Sequence, residues 1–169
     1  KINPQAVWRE EFLNKVDWGN LYLFTPSGIK PIKVSTGQVV QQIGCPYSCL
    51  TKEVSIDYPV TLRNTAFCKE GTIKLKISGC SFCDVASDKG FALILPLESV
   101  LAQINNLPED SDGRKIPFEL INEMPLPGLP RLLESIQQRK LKISQVNLVT
   151  RADWLLTGKE QLITSLKMV

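Results

Sequence analysis

The chain has 169 residues, 43% of them apolar and 22% charged, and its 20 basic and 17 acidic side chains give a formal net charge of +3. This composition fits one globular domain or two small ones, and it excludes disordered and collagen-like chains. No apolar run approaches the roughly 18 residues of a membrane span, and no basic stripe with interleaved aromatic residues predicts binding to nucleic acid.

The N-terminal region, residues 1–71, is predicted to be β-rich with one helix. Apolar residues at a spacing of four, Phe12 among them, predict a helix over residues 5–18. Two apolar runs, 21–24 and 29–34, flank a turn-forming Pro-Ser-Gly triplet and predict a β-hairpin. Further short strands are expected at residues 39–43 and 54–62.

In the C-terminal region, residues 72–169, predicted strands alternate with predicted helices. The strands cover residues 73–77, 118–121 and 146–149, and the helices begin at Pro96, Pro130 and Lys159. Such alternation predicts an α/β fold of βαβαβα units, with parallel strands joined by helical crossovers. A closed barrel needs about 250 residues, so we expect a partial barrel or an open parallel sheet. The boundary between the two regions is predicted near Gly71.

Histidine is absent from the chain. Catalysis by Ser-His-Asp or Cys-His pairs, histidine general bases and histidine-ligated metals are therefore excluded within it. Five cysteines are present, an odd number that would leave one thiol over in a closed set of intrachain disulfides. No signal segment is visible at the N-terminus, so we expect a cytoplasmic location, where paired cysteines more often hold a metal than form disulfides.

Four of the cysteines form two short motifs, a C-x3-C pair in residues 44–49 and a C-x2-C pair in residues 79–83, and each motif opens with a glycine. Thiolates at this spacing in a tight turn can face one metal ion, because glycine lets the backbone fold under the sulfur atoms. Two such motifs separated by β-structure are typical of a tetrahedral zinc site with four thiolate ligands. Its ligands would be Cys45, Cys49, Cys80 and Cys83.

A family resemblance is carried by the segment from Lys74 to Asp84, Lys-Leu-Lys-Ile-Ser-Gly-Cys-Ser-Phe-Cys-Asp, which resembles the cluster loop of radical S-adenosylmethionine (SAM) enzymes. Those enzymes carry three cysteines after the first barrel strand, and a C-x2-C pair followed by Asp is a familiar ending. Residues 119–126, Glu-Leu-Ile-Asn-Glu-Met-Pro-Leu, resemble the family's second strand and the Gly-Glu-Pro motif that holds the SAM amino group. Residues 146–153 resemble the third strand, which often ends in Thr.

The resemblance covers residues 72–169 and implies a [4Fe-4S] cluster and bound SAM. The usual C-x3-C-x2-C spacing would need a cysteine at position 76, where Lys76 stands. The implied cluster ligands are therefore Cys68, Cys80 and Cys83, with a thiolate of residues 45–49 as the alternative. By position in the motif, the SAM site would be lined by Asn122, Glu123 and Pro125.

The sequence leaves three functions open. The first is part of a radical SAM-like enzyme, whose cluster would pass one electron to SAM and start radical chemistry on an unknown small-molecule or protein substrate, within a larger chain or complex. The second is a non-enzymatic binding or assembly module that is stapled by the four-cysteine zinc site. The third is a secreted, disulfide-linked domain that binds lipid or protein. We favour the first.

Overall fold

The computed structural model describes residues 10–46, 51–57, 72–79 and 92–168. The chain divides into two compact units, one formed by Lys1–Gln42 with Ile94–Val169 and the other by Ile43–Leu93. The second unit is therefore an insertion into the chain of the first. The boundary predicted near Gly71 lies outside the described residues.

A 3-10 helix over Glu10–Lys15 and a β-hairpin open the first unit. Strand β1 (Tyr22–Thr25) pairs antiparallel with strand β2 (Gly28–Pro31), which confirms the predicted hairpin. Gly28 has a φ of +119°, which glycine adopts readily and which permits the tight turn between the strands. The helix that was predicted over residues 5–18 does not continue past Lys15.

The remaining strands are β3 (Gly37–Val40), β4 (Gln42–Gly44), β5 (Thr51–Asp57), β6 (Thr72–Ser78), β7 (Ala92–Ile94), β8 (Phe118–Ile121) and β9 (Val146–Leu148). Strands β3, β8 and β9 form an open parallel sheet in the order β3-β8-β9. Strand β4 pairs with β7, and β5 pairs with β6. The chain is thus an α/β protein with one parallel sheet, as the sequence predicts.

The helices of the first unit are α1 (Leu97–Asn106), α2 (Leu129–Gln138), α3 (Ala152–Thr157) and α4 (Lys159–Leu166). Helix α1 follows Pro96, and α2 carries Pro130 in its first turn, where the missing N–H of proline costs no helical hydrogen bond. The three predicted helices are confirmed, and α3 is an additional short one. No helix within the described ranges combines the length and the hydropathy that crossing a membrane requires.

The first strand of the parallel sheet is not the predicted one. Residues 73–77 do form a strand, β6, but it pairs antiparallel with β5 in the second unit. Strand β3 instead lies parallel to β8 and leads, through the inserted unit, to helix α1. The alternating residues of β6 fix only that it is a strand, since strand alternation carries no information about the partner.

The core of the first unit lies between the parallel sheet and its helices. Its buried side chains come from alternate strand positions and from one face of each long helix. They include Val39, Phe118 and Leu120 from the sheet and Val100, Leu101, Ile104, Leu132, Leu133 and Ile136 from the helices. Strand β3 begins at Gly37, against which Leu107 packs. A Cβ atom at position 37 would overlap the Leu107 side chain, so glycine suits this position.

Candidate functional site

Polar residues follow each strand of the parallel sheet at its carboxyl end. Gln41 comes directly after β3, Asn122 directly after β8, and Thr150 two residues after β9. Parallel strands end at the same edge of a sheet, and in open α/β sheets ligands bind in the crevice outside this edge. The carboxyl edge is therefore the candidate site of the first unit.

Gln41 and Asn122 are joined across this edge by a hydrogen bond. Asn122 Nδ2 donates to Gln41 Oε1 over 2.8 Å, and Asn122 Oδ1 accepts from the backbone N–H of Met124 over 2.7 Å. The second bond closes an Asx turn, so the short side chain of Asn122 directs the chain away from the strand. Gln41 is only 7% exposed, and its backbone donates to Ile121 O over 3.0 Å. The two amides are thus held rigidly at the sheet edge.

A buried glutamine of helix α1 holds the end of β3. Val40 N donates to Gln103 Oε1 and Gln103 Nε2 donates to Val40 O, both over 2.9 Å. Strand β3 lies at the edge of the sheet, so these backbone groups would otherwise lack a partner strand. Gln103 therefore takes the place of a neighbouring strand and fixes the residue that precedes Gln41. In the sequence this role is indicated only by a polar residue on an otherwise apolar face of the helix.

Thr150 has an unusual environment for a polar residue. Its Oγ1 is buried and finds no hydrogen-bond partner among the residues that the structure describes. Buried hydroxyl groups are nearly always satisfied, and an unsatisfied one needs an explanation such as a bound ligand. Thr150 lies within residues 146–153, the segment that resembles the third strand of the SAM enzymes, a strand that often ends in Thr.

An ion pair follows Thr150 at the start of α3. Arg151 Nε and Nη2 donate to the two oxygens of Asp153 over 3.0 and 2.9 Å, and the guanidinium carbon lies 5.2 Å from the centre of the Trp154 ring. The hydrogen bonds from Arg151 lower the pKa of the Asp153 carboxyl below its ordinary value of 3.8. This arrangement keeps Asp153 ionised and orients the Arg151 side chain by a bidentate contact.

The three residues predicted to line a SAM site have different exposures. Asn122 is half-buried and Glu123 is exposed, whereas Pro125 is fully buried. All three belong to the segment that leaves β8 at the carboxyl edge. Both polar ends of the Asn122 side chain are hydrogen-bonded, the Glu123 side chain reaches solvent, and Pro125 directly precedes the 3-10 turn Leu126–Gly128.

Of the predicted metal ligands, the structure describes Cys45, which is half-buried. The others, Cys49, Cys68, Cys80 and Cys83, lie outside the described residues. Within the described ranges no group of three or more Cys, Asp or Glu side chains is placed to hold a metal ion. The predicted cysteine site therefore stays a prediction.

The glycines that open the two cysteine motifs are both described. Gly44 has a φ of +73° and Gly79 a φ of +71°, so each adopts the left-handed conformation immediately before a cysteine. A side chain is strained in this conformation and glycine is not. This is the local geometry that the sequence predicts for turns in which the backbone folds under a sulfur atom.

Comparison with known proteins adds no relative to these observations: no family model, no curated protein and no solved structure matches the chain.

Proposed function

We propose that the chain is part of a radical SAM-like iron–sulfur enzyme, in which a cysteine-bound cluster and bound SAM start radical chemistry on a substrate. On this proposal the open parallel sheet is a partial barrel and its carboxyl edge is the SAM site. The proposal implies a reducing, cytoplasmic setting, because thiolate ligands must stay reduced to hold a cluster.

The position of the cysteines in the chain is the main support for the proposal. All five cysteines fall in the sequence between β3, the first strand of the parallel sheet, and α1, the first helix after it. The family that the sequence resembles carries its cluster cysteines in this same connection. The two ends of this connection lie side by side, because Leu95 N donates a hydrogen bond to Gln41 O over 2.8 Å.

The polar groups of the carboxyl edge suit a molecule such as SAM. SAM carries an ammonium group, a carboxylate and ribose hydroxyls, all of which need hydrogen-bond partners when they leave water. Asn122 and Glu123 offer acceptors for the ammonium group, and Thr150 Oγ1 is a buried hydroxyl without a partner in the described part of the chain. The donor and acceptor set therefore fits, which supports this edge as the SAM site.

The cluster would be held by Cys68, Cys80 and Cys83, with Cys45 and Cys49 as the alternative source of thiolates. Three thiolates on a [4Fe-4S] cube leave one iron open for SAM. A cluster bound in this way supplies the single electron that cleaves SAM reductively. The chain itself would bind SAM at Asn122 and Glu123, and the buried Pro125 would keep their turn in place.

Anaerobic purification with iron, sulfide and zinc analysis tests the proposal. We expect broad visible absorption with bound iron and sulfide, and loss of that colour in Cys80→Ser. The matched control is Cys45→Ser, which should keep the colour if the ligands are those of the C-x2-C set. SAM binding should weaken in Asn122→Ala and stay unchanged in Asn105→Ala, an exposed asparagine of α1. A colourless protein that contains zinc would contradict the proposal.

A second candidate, a structural zinc module, is favoured by the register of the β5–β6 ribbon. Thr51 pairs with Ser78, so the chain enters the ribbon from the C-x3-C motif and leaves it toward the C-x2-C motif at the same end. Together with the left-handed Gly44 and Gly79, this register suits a four-thiolate site. In that case Cys45→Ser and Cys80→Ser should both release zinc, whereas the cluster proposal predicts different results for the two variants.

A further inference from the structure

The two faces of the parallel sheet differ. On one face Val39, Phe118 and Leu120 are at most 1% exposed, because the helices cover them. Side chains alternate between faces along a strand, so the intervening residues point to the opposite face. There Gln38 is exposed and Glu119 is half-buried. This second face, here called the open face, is partly accessible to solvent, although purely parallel sheets are almost always covered on both sides.

A row of three polar side chains crosses the open face. Gln38 of β3 pairs in register with Glu119 of β8, and Glu119 pairs in register with Asn147 of β9. Neighbouring strands lie about 4.8 Å apart, so the carboxylate has an amide group on either side at that spacing. The row presents one negative charge flanked by two amides, and Asn147 Oδ1 already accepts a hydrogen bond from Gln145 Nε2.

Glu119 lies in the central strand of the sheet and is half-buried, and its carboxylate forms no ion pair or hydrogen bond with another residue that the structure describes. A cationic group placed over this row would form charge-assisted hydrogen bonds with the carboxylate.

An apolar pair lies beside the polar row on the same face. Val40 of β3 and Ile121 of β8 are in register, two residues further toward the carboxyl edge, and both are half-buried. Two residues along a strand correspond to about 6.6 Å, which is the length of a short alkyl chain. The open face therefore has a place for a charge and, next to it, a place for methylene groups.

We propose that the open face binds a primary alkylammonium group, with its charge at Glu119 between Gln38 and Asn147 and its alkyl chain on Val40 and Ile121. The chain of such a ligand runs toward the carboxyl edge. If the proposed function is correct, on which this step rests, the ligand is the substrate and its methylene groups are the ones brought near SAM. The cation site itself depends only on the residues of the sheet.

Titration of the full chain with n-pentylamine at neutral pH, followed by 1H–15N NMR, tests the proposal. We expect shifts at the amides of residues 38–40, 119–121 and 147. Glu119→Gln keeps the shape of the side chain and removes its charge, so it should weaken binding about tenfold. The matched control is Glu134→Gln, an exposed glutamate of α2, which should bind as the unchanged protein does.

A second variant distinguishes loss of binding from loss of folding. Gln38 is exposed, so Gln38→Lys should fold normally and should weaken amine binding by repulsion with Glu119 intact. Equal binding of 1-pentanol, or unchanged binding in Glu119→Gln, would overturn the proposal. SAM binding is measured separately. Amine binding without SAM binding would contradict the proposed function and support the cation site. SAM binding without amine binding would contradict the cation site and support the proposed function.

Discussion

The strands of the parallel sheet are richer in apolar residues, 7 of 11, than those of the β5–β6 ribbon, 5 of 14, and the two structures also bury them differently. Val39 and Phe118 of the sheet are fully buried, whereas Ile56 and Leu75 of the ribbon are 47% and 37% exposed. The ribbon contains an ion pair between Lys74 Nζ and Glu53 Oε1 at 3.8 Å. Both side chains of that pair are largely exposed, so it adds little stability.

This difference indicates that the two structures are stabilised by different means. The sheet is held by apolar burial against its helices, which contributes roughly 25 cal/mol for each Å² removed from water. A two-stranded ribbon without such burial is marginal in water and needs a partner or a cross-link. In this sequence the cysteine motifs, which flank one end of the ribbon, are the candidates for such a cross-link.

Removing the metal from metal-loaded protein should unfold the ribbon and leave the sheet folded. Structural metal sites contribute on the order of 10 kcal/mol to the folding of small modules, far more than the exposed contacts of the ribbon. Hydrogen exchange before and after treatment with a chelator measures this. Protection should be lost in residues 51–57 and 72–78 and kept in residues 118–121. Protection that persists in the ribbon without metal would show that the cysteines do not hold it together.

Phe118→Ala should have the converse effect and unfold the sheet unit. Phe118 is fully buried, so its truncation removes apolar contacts and leaves a cavity, at a cost of about 3–5 kcal/mol. The free energy of unfolding is obtained from urea titration. Phe24→Ala is the matched control, because Phe24 is 79% exposed and its loss should change stability by less than about 0.5 kcal/mol. Equal destabilisation by the two variants would contradict the assignment of the core.

The same contrast explains which elements the sequence predicts. Helices α1 and α2 are recognisable because their apolar residues recur at helical spacing and a proline marks each start. The β1–β2 hairpin is recognisable from its turn residues. Such signals are local, and they depend on residues that are close in the chain.

Pairing between distant strands leaves no local signal, and here the sequence prediction was wrong. Strand β3 has four residues and joins β8 across an insertion, whereas the clear alternation of β6 suggested the first parallel strand. Burial within the apolar run Trp154 to Leu156 is likewise set by contacts that the local sequence does not reveal. Trp154 is buried, but Leu156 is 81% exposed, since burial depends on which side of the short helix α3 meets its neighbours.

The candidate site was predicted in part. Asn122 was identified through its motif and does lie at the carboxyl edge. Thr150 was noted only as part of the segment that resembles a third strand, without a role. Gln41 and Gln103 were missed, because a single glutamine has no distinguishing pattern until the strands around it are aligned. Only the parallel register brings Gln41 to Asn122.

Gln103→Leu should weaken the edge of the sheet. The leucine leaves the N–H and C=O groups of Val40 without partners, and unsatisfied buried polar groups cost about 1–3 kcal/mol. Urea titration should show this loss, and the NMR amide shifts of Val40 and Gln41 should change with it. Gln138→Leu, at an exposed position of α2, is the control and should leave the stability and the Val40 and Gln41 amide shifts unchanged. An unchanged Val40 amide shift in Gln103→Leu would show that Gln103 does not hydrogen-bond to Val40 in solution.

The smallest expected effect concerns acid titration at the start of α3. Because Arg151 lowers the pKa of Asp153 in the folded protein, the ionised carboxyl favours folding at every pH above its unfolded pKa, near 3.8. This contribution is lost as the pH falls through the lowered folded value, so the effect is confined to strongly acidic solution. Carboxyl NMR titration should show the low pKa of Asp153 and its rise toward the ordinary value in Arg151→Ala. A pKa that does not move would mean that the bidentate contact is not formed in solution, and with it the orientation of Arg151 beside Thr150 would be lost.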